Sequence, residues 1–477
     1  MTQSRPDKAQ KALEELCCRR GDTFYPHYHL APRAGWMNDP NGLIWFNDRY
    51  HAFYQHNPLN ENWGTIHWGH ATSKDMVHWH HEPIALAPSD NEDKDGCFSG
   101  SAVNDNGVLS LIYTGHVWLA GEGNDAEIRQ VQCLATSRDG VHFEKQGVVL
   151  MPPEGIMHFR DPKVWQQDGN WWMVVGAKTP DNTGQILLYR GRSLREWTFD
   201  RVLGQAGDGE TYMWECPDLF GLGKHHYMMF SPQGMSPEGY QKRNLFQSGI
   251  IPGQWSPGSD FIPSGPFTEL DNGHDFYAPQ SFTASDGRRV IIGWMDMWGS
   301  VMPSKKEGWS GCLTLARELS EREGKLIQRP VREAETLRGP HQGIAAGEIT
   351  ETCVLHENAQ AVEVTLEWDL RKSDAEHYGL RLGSSLQLYV DNQAGRLILW
   401  RHSPEEHIDG YRSIALPPEE SLSLRIFLDM SSAEVFVNDG EAVLSSRIYP
   451  RPGERQLTLY AAGGKARLMT GALWSLR

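Results

Sequence analysis

No stretch of this 477-residue chain is apolar for long enough to cross a bilayer, which takes about 18 consecutive apolar residues, so no membrane span is expected. The N-terminus also lacks the apolar core of a secretory signal. Cationic charge is scarce: 45 Lys and Arg stand against 61 Asp and Glu, a formal net charge of −16. Such a surface repels nucleic acid and anionic lipid, so neither is expected as a partner. Cysteine is sparse as well. Its seven copies are an odd number without metal-binding spacing, and the adjacent Cys17 and Cys18 cannot readily pair with each other. This pattern reads as reduced thiols in a cytoplasmic protein, with no metal site. Helical periodicity is almost missing. The exception is residues 6–19, where Pro6, Ala12, Leu13 and Leu16 follow Ser4 as a short capped helix.

What remains is strands and turns, and they repeat. Asp39-Pro40 leads into Leu43–Phe46, the turn Asn47-Asp48-Arg49 and Tyr50–Tyr54; Asp161-Pro162 leads into Lys163–Trp165, the turn Gln167-Asp168-Gly169-Asn170 and Trp171–Val175. Ser99-Gly100, Cys216-Pro217 and Ala278-Pro279 open segments of the same form. The anchors stand at 39, 99, 161, 216 and 278, close to 60 residues apart. Strand, Gly/Asn/Asp turn, strand is a β-hairpin, and the rest of each period has room for two more strands. Four strands per unit in radial array make a β-propeller blade. Periods of such folds are usually about 40 to 50 residues, so these blades carry long loops. The fold class is therefore all-β: a five-bladed propeller over residues 24–338, after an N-terminal helical extension, 1–23. After the junction Gly339–Gly343 the strands alternate strictly, as in Ala361–Trp368 and Leu422–Leu428, which reads as a β-sandwich over 345–477.

The first strand of each blade lies nearest the axis, so the anchors should ring one mouth of it. Asp39 and Asp161 share one repeat position, Ser99 matches it, and Glu215 stands one residue earlier. Alone, Asp39-Pro40-Asn41-Gly42 reads as a type I turn, with Asp first, Pro second and Gly fourth. Repeat register is what gives these carboxylates a reason to meet, and converging carboxylates are the working groups of glycoside hydrolysis.

Trp36-Met37-Asn38-Asp39-Pro40-Asn41-Gly42, Arg160-Asp161-Pro162 and Glu215-Cys216-Pro217 resemble the three signature blocks of glycoside hydrolase family 32, the invertases and fructan hydrolases. Phe53–Pro58, Phe98–Ser101 and Phe276–Gln280 support the likeness, which runs over nearly the whole chain and is greatest toward the cytoplasmic sucrose hydrolases of bacteria. The resemblance implies Asp39 as nucleophile, Glu215 as acid/base and Asp161 as the group holding fructosyl hydroxyls. It also places Asn38, Gln55, Trp63, Phe98, Ser99 and Arg160 around the fructose subsite. Tyr277 and Trp294, near the fifth anchor, join them as candidates, and Trp36 is favoured for the same wall. The implied reaction retains configuration through a fructosyl-enzyme, with the two working carboxyls about 5 Å apart. No cofactor is implied, and the partner is a small sugar.

Chemistry adds requirements. Glu215 has to hold a proton at one step, which desolvation and the Asp39 charge would favour. Asp39 has to stay ionised, with Asn38 hydrogen-bonding it, and Arg160 would orient Asp161. The substrate expected first is sucrose, with sucrose 6-phosphate or a fructan as alternatives and a non-catalytic sugar-binding propeller as a more distant one. A phosphate would need cations, for which Lys242, Arg243, Lys305 and Lys306 are the candidates. Asp271 and Asp275 lie where they could touch the leaving sugar or sit in a solvated loop. The His67/His70, His80-His81 and His225-His226 groups read as structural, since a metal site would need paired carboxylates or cysteines. The sequence sets no oligomeric state.

Overall fold

The computed structural model describes residues 4–207 and 209–477. Ser4 caps the helix Arg5–Cys17 by accepting from the Asp7 amide. Ala9, Leu13 and Leu16, on one helical face, pack against Ala34 and Ile84 of the first blade.

Five antiparallel sheets follow in chain order. Their inner strands are Gly35–Phe46, Cys97–Asp105, His158–Gln167, Met213–Leu222 and Tyr277–Thr283. Blades I to III add their second, third and fourth strands outward in sequence, and blade IV ends in two short strands. In blade V, Trp309–Ser310 leaves the sheet and pairs in parallel with Gly35–Trp36, which closes the ring onto blade I. Two-residue turns with positive φ at both positions join the first hairpins: Asn47-Asp48, Asn106-Gly107 and Asp168-Gly169. Asn, Asp and Gly tolerate that conformation, and its twist matches the strands it connects. The core lies between blades. Trp171 and Trp172 are neighbours on one strand of blade III, so their rings leave on opposite faces. Trp171 fills the layer toward blade II and Trp172 the layer toward blade IV.

The repeat anchors prove to be β-bulges. Each inner strand breaks register with its neighbour at residues 38–39, 99, 161–162, 216–217 and 278–279. Asp39-Pro40 is thus no turn but an irregularity inside a 12-residue strand. A bulge frees backbone amides from the ladder, which is where a strand tolerates proline, and it re-aims one side chain. Asp161, Cys216 and Ala278 hold φ of 68°, 48° and 52°, a left-handed conformation that non-glycine residues take only when their surroundings impose it.

The C-terminal region is a two-sheet sandwich of seven and six strands. On the larger sheet, alternation sends Ile426, Val435 and Leu444 into the sandwich core and Phe427, Phe436 and Val443 toward the propeller. The polar residues on that second face meet propeller charges. Arg317, fully buried, donates to Asp271 (3.0 Å) and Glu434 (2.9 Å). His29 lies between Asp429 (2.8 Å) and Glu434 (2.7 Å). Asp271 and Asp275 therefore belong to the domain interface; Arg401 and Arg447 flank Asp275. Burial alone would discharge His29, but the two carboxylates outweigh it and raise it to about 9. A raised histidine stabilises the fold fully below its unfolded value of about 6.5, and that contribution disappears as pH climbs through about 9. Thermal midpoints of the wild type should fall across that window, and His29→Gln should flatten the fall.

Candidate active site

The five bulges place Asp39, Ser99, Asp161, Cys216 and Ala278 around the axis mouth, one from each blade. Ligand atoms of Asp39, Asp161 and Cys216 lie within 4.8 Å of one another. The Cys216 thiol is pushed up by burial and by Asp161 and Asp39, so it serves as a hydrogen-bond donor to both carboxylates. It reaches Asp39 Oδ2 at 3.4 Å and Asp161 Oδ2 at 3.5 Å, while its amide donates to Asp161 at 3.0 Å. Ser99 donates to Asp39 Oδ2 at 2.6 Å, and Asn38 Nδ2 to Oδ1 at 3.0 Å.

Glu215 stands one residue before its bulge, so its side chain takes the opposite side of the strand from Cys216. There it accepts from Arg160 Nε (2.9 Å) and Nη2 (2.7 Å), from Gln233 Nε2 (3.1 Å) and from the Tyr277 hydroxyl (2.5 Å). Arg160, expected on Asp161, forks onto Glu215 instead. The inner strands of blades III and IV bring it there, and Asp161 is already met by the Cys216 amide.

These groups open on a cavity of about 380 Å³. Asn38, Asp39, Gln55, Trp63, Phe98, Ser99, Arg160, Asp161 and Glu215 all line it, as the sequence suggested. Two candidates do not. Tyr277 is buried behind Glu215 and acts on it through its hydroxyl. Trp294 is wholly buried, because the chain climbs from it to Trp298, and Trp298 takes the place on the wall. Trp36 is covered as well: its ring stacks on Trp298 (5.8 Å) and its indole NH donates to Asn38 (2.7 Å). Trp63, 38% exposed, stands edge-on to Phe98, Trp118 and Trp298 at the rim.

The lining that sequence reading missed is His116, Trp118, Asp125, Ile128, Gln130, His158, Gln233, Phe246 and Trp298. His116, Trp118 and Gln233 end second strands of blades, and a hairpin returns its second strand to the mouth where the first began. That signal was available. His116 and His158 fall to about 3 through burial and the Arg160 charge, so both are neutral. The sandwich supports the cavity from behind: Arg447 pairs with Asp296 (2.9 Å) and donates to Ser300 (2.9 Å) and the Val301 carbonyl (3.1 Å), on either side of Trp298 in the chain.

Electrostatics differ from expectation at one point. Burial, then the Glu215 charge, raises Asp39 above the usual carboxylate range, against the hydrogen bonds from Ser99 and Asn38. The same causes, in the same order, raise Asp161 to about 7, with Arg160 opposing. Arg160 pairs with Glu215 alone, which leaves Asp39 and Asp161 without a cation of their own and holds both above the usual carboxylate range. A carboxyl raised on folding makes the folded state bind more protons, so it costs stability as pH rises from about 4 through about 7. Asp161→Asn should remove that penalty and raise stability at pH 8 by about 1 kcal/mol or more, seen as a higher Tm; below about pH 4 the gain should vanish.

Comparison with known proteins bears on this geometry. Residues 29–330 match the description "Glycosyl hydrolases family 32 N-terminal domain", and residues 333–475 match "Glycosyl hydrolases family 32 C terminal". The chain belongs to glycoside hydrolase family 32. One curated relative, a sucrose-6-phosphate hydrolase of Escherichia coli, is 73% identical over the full length of both chains. A raffinose invertase of Escherichia coli is 64% identical, covering 98% of each. Among solved structures, a family 32 β-fructofuranosidase of Bombyx mori superposes with a TM-score of 0.86 at 33% identity, over 98% of each chain. A family 32 enzyme is thus a glycosidase of propeller-then-sandwich build, and this chain has both parts.

Proposed function

We propose that this chain is a retaining β-fructofuranosidase. The observation that carries the reading is the pairing of two unlike carboxyls on one cavity: Asp39, desolvated among Ser99, Asn38 and Cys216, and Glu215, ringed by Arg160, Gln233 and Tyr277. In the first step Glu215 gives a proton to the glycosidic oxygen, the bond from that oxygen to the anomeric carbon breaks, and Asp39 bonds to that carbon. In the second, Glu215 takes a proton from water, the water oxygen bonds to the anomeric carbon, and Asp39 leaves. Asp161, beside both, accepts from the fructosyl hydroxyls, and that contact draws it into its ionised form.

The substrate reading is sucrose 6-phosphate, supported by the name and 73% identity of the Escherichia coli relative. Unphosphorylated sucrose is the second reading, and the cavity wall favours it. Its one guanidinium, Arg160, is engaged by Glu215, its histidines are neutral, and Asp125 adds negative charge. None of the expected phosphate-binding cations lines it: Lys242 pairs with Glu238, Lys306 with Glu406, and Lys305 donates to Asn62. The seven cysteines are all unpaired, which supports a reducing, cytoplasmic setting. Initial rates on sucrose 6-phosphate, sucrose, raffinose and inulin decide between the substrates. A kcat/KM for sucrose 6-phosphate about tenfold or more above that for sucrose, near the strength of one phosphate–cation contact, upholds the first reading. Equal values, or a preference for sucrose, replace it with the second, and no fructose release from any of the four overturns both.

A further inference from the structure

A second polar cavity, of about 240 Å³, lies in the crevice between propeller and sandwich, walled by Tyr240, Arg243, Tyr411, Arg412 and Ser413. Its charge is out of keeping with the paired arginines beside it at the domain interface. Three other arginines buried at this domain interface are neutralised by carboxylates: Arg317 by Asp271 and Glu434, Arg401 by Asp275, Arg447 by Asp296. Here the pattern fails. Arg412 donates to Asn244 Oδ1 (2.9 and 2.7 Å), to the Tyr411 carbonyl (2.8 Å) and to the Arg243 carbonyl (3.4 Å), all neutral acceptors. Arg243 donates to the Gly239 carbonyl at 2.6 Å. Arg396, behind the wall, bonds Ser413 Oγ at 2.7 Å and lies 3.8 Å over the Tyr240 ring. Among the described residues, none of the three guanidiniums has a carboxylate oxygen within 4.0 Å.

A partly desolvated cation without a counter-ion is costly, and a guanidinium pair with free N–H edges matches the oxygens of a tetrahedral anion. Burial, with Arg401 nearby, already draws Arg412 down to about 10, and the more distant Asp275 and Glu269 do not restore it. Tyr240 and Tyr411, each about half exposed, add a hydroxyl-bearing apolar rim of the kind that takes a sugar ring.

We propose that this interdomain crevice is a binding site for a phosphate group, borne by a hexose or free, distinct from the catalytic cavity. The site straddles both domains: Tyr240 and Arg243 come from the propeller, Arg396, Tyr411 and Arg412 from the sandwich. It is also linked to catalysis by chain connectivity. The Asn244 carbonyl accepts from Gln247 at 2.8 Å, and between them Phe246 lines the catalytic cavity. An anion clamped by Arg243 and Arg412 would hold both ends of the Gly239–Asn244 loop and with it the Phe246 wall.

Isothermal titration calorimetry of the whole protein at low ionic strength tests this, with inorganic phosphate and glucose 6-phosphate as probes and glucose as the neutral control. One site is expected for the phosphorylated probes, with glucose binding at least about tenfold more weakly there, as loss of a charge-assisted pair implies. Arg243→Ser, at an exposed position, and Arg412→Gln, which keeps an amide for Asn244, should each weaken phosphate binding about tenfold. Turnover of unphosphorylated sucrose should stay the same in Arg243→Ser. Glucose 6-phosphate binding better than phosphate marks a sugar phosphate as the occupant; equal binding marks the free anion. No heat with either probe overturns the proposal. So does wild-type binding in both variants, which would place the probes in the catalytic cavity. The binding readout needs no turnover, so its failure leaves the fructosidase assignment standing.

Discussion

Asp39→Asn lowers kcat by about 10⁴-fold or more, the scale of losing a nucleophile from a site that otherwise stays assembled. The side chain is isosteric, and Ser99 and Asn38 remain to hold it. What disappears is the negative charge beside the anomeric carbon, and with it both the covalent step and the electrostatic support of the oxocarbenium-like state. Glu215→Gln costs less, about 10²- to 10⁴-fold, because a proton can still reach the leaving oxygen from water, although slowly. Steady-state rates of purified variants decide the matter. An Asp39→Asn enzyme within tenfold of wild type would remove Asp39 from the reaction.

Arg317→Leu destabilises the protein by about 3–5 kcal/mol, the range for breaking a buried ion pair from one side. The guanidinium is wholly buried and is the only cation touching both Asp271 and Glu434 among the described residues. Leucine fits the space toward Phe276 and Phe436 but leaves Asp271 without its cation and Glu434 with His29 alone in a dry interface. The readout is the urea midpoint, followed by activity and by tryptophan emission together. Trp298 is bracketed by Arg447 on the same interface, so both signals should be lost in one transition. A variant that unfolds at the wild-type midpoint would show the interface charges to be dispensable.

The blades were legible because hairpin turns and inner strands recur at nearly one period, and because alternation marks the sandwich strands so plainly. The ring of bulge residues was legible for the same reason: repeat register is also spatial register. Three things were not legible. A bulge and a type I turn share the Asp-Pro signature, and only strand continuity on both sides separates them. The partner of Arg160 depends on a one-residue offset between Cys216 and Glu215, and sequence shows the offset but not which carboxylate the guanidinium meets. Trp294 and Trp298 look equally suitable for the cavity, and the choice rests on how far the chain rises after its strand. The interface charges were invisible for a further reason: Asp271 and Glu434 are 163 positions apart, and no local pattern joins them.

The clasp of His29 between Asp429 and Glu434 has a consequence for how the molecule is made. Synthesis is vectorial, and His29 leaves the ribosome some 400 residues before the carboxylates that hold it. The Trp298 segment likewise waits for Arg447. All five blades can emerge and pair while the catalytic wall and the first-blade entrance still lack their supports. A chain halted before Asp429 leaves His29 without the two carboxylates that hold it. The supports of the cavity wall and of the first-blade entrance therefore arrive only with residues 429–447, long after the strands they brace.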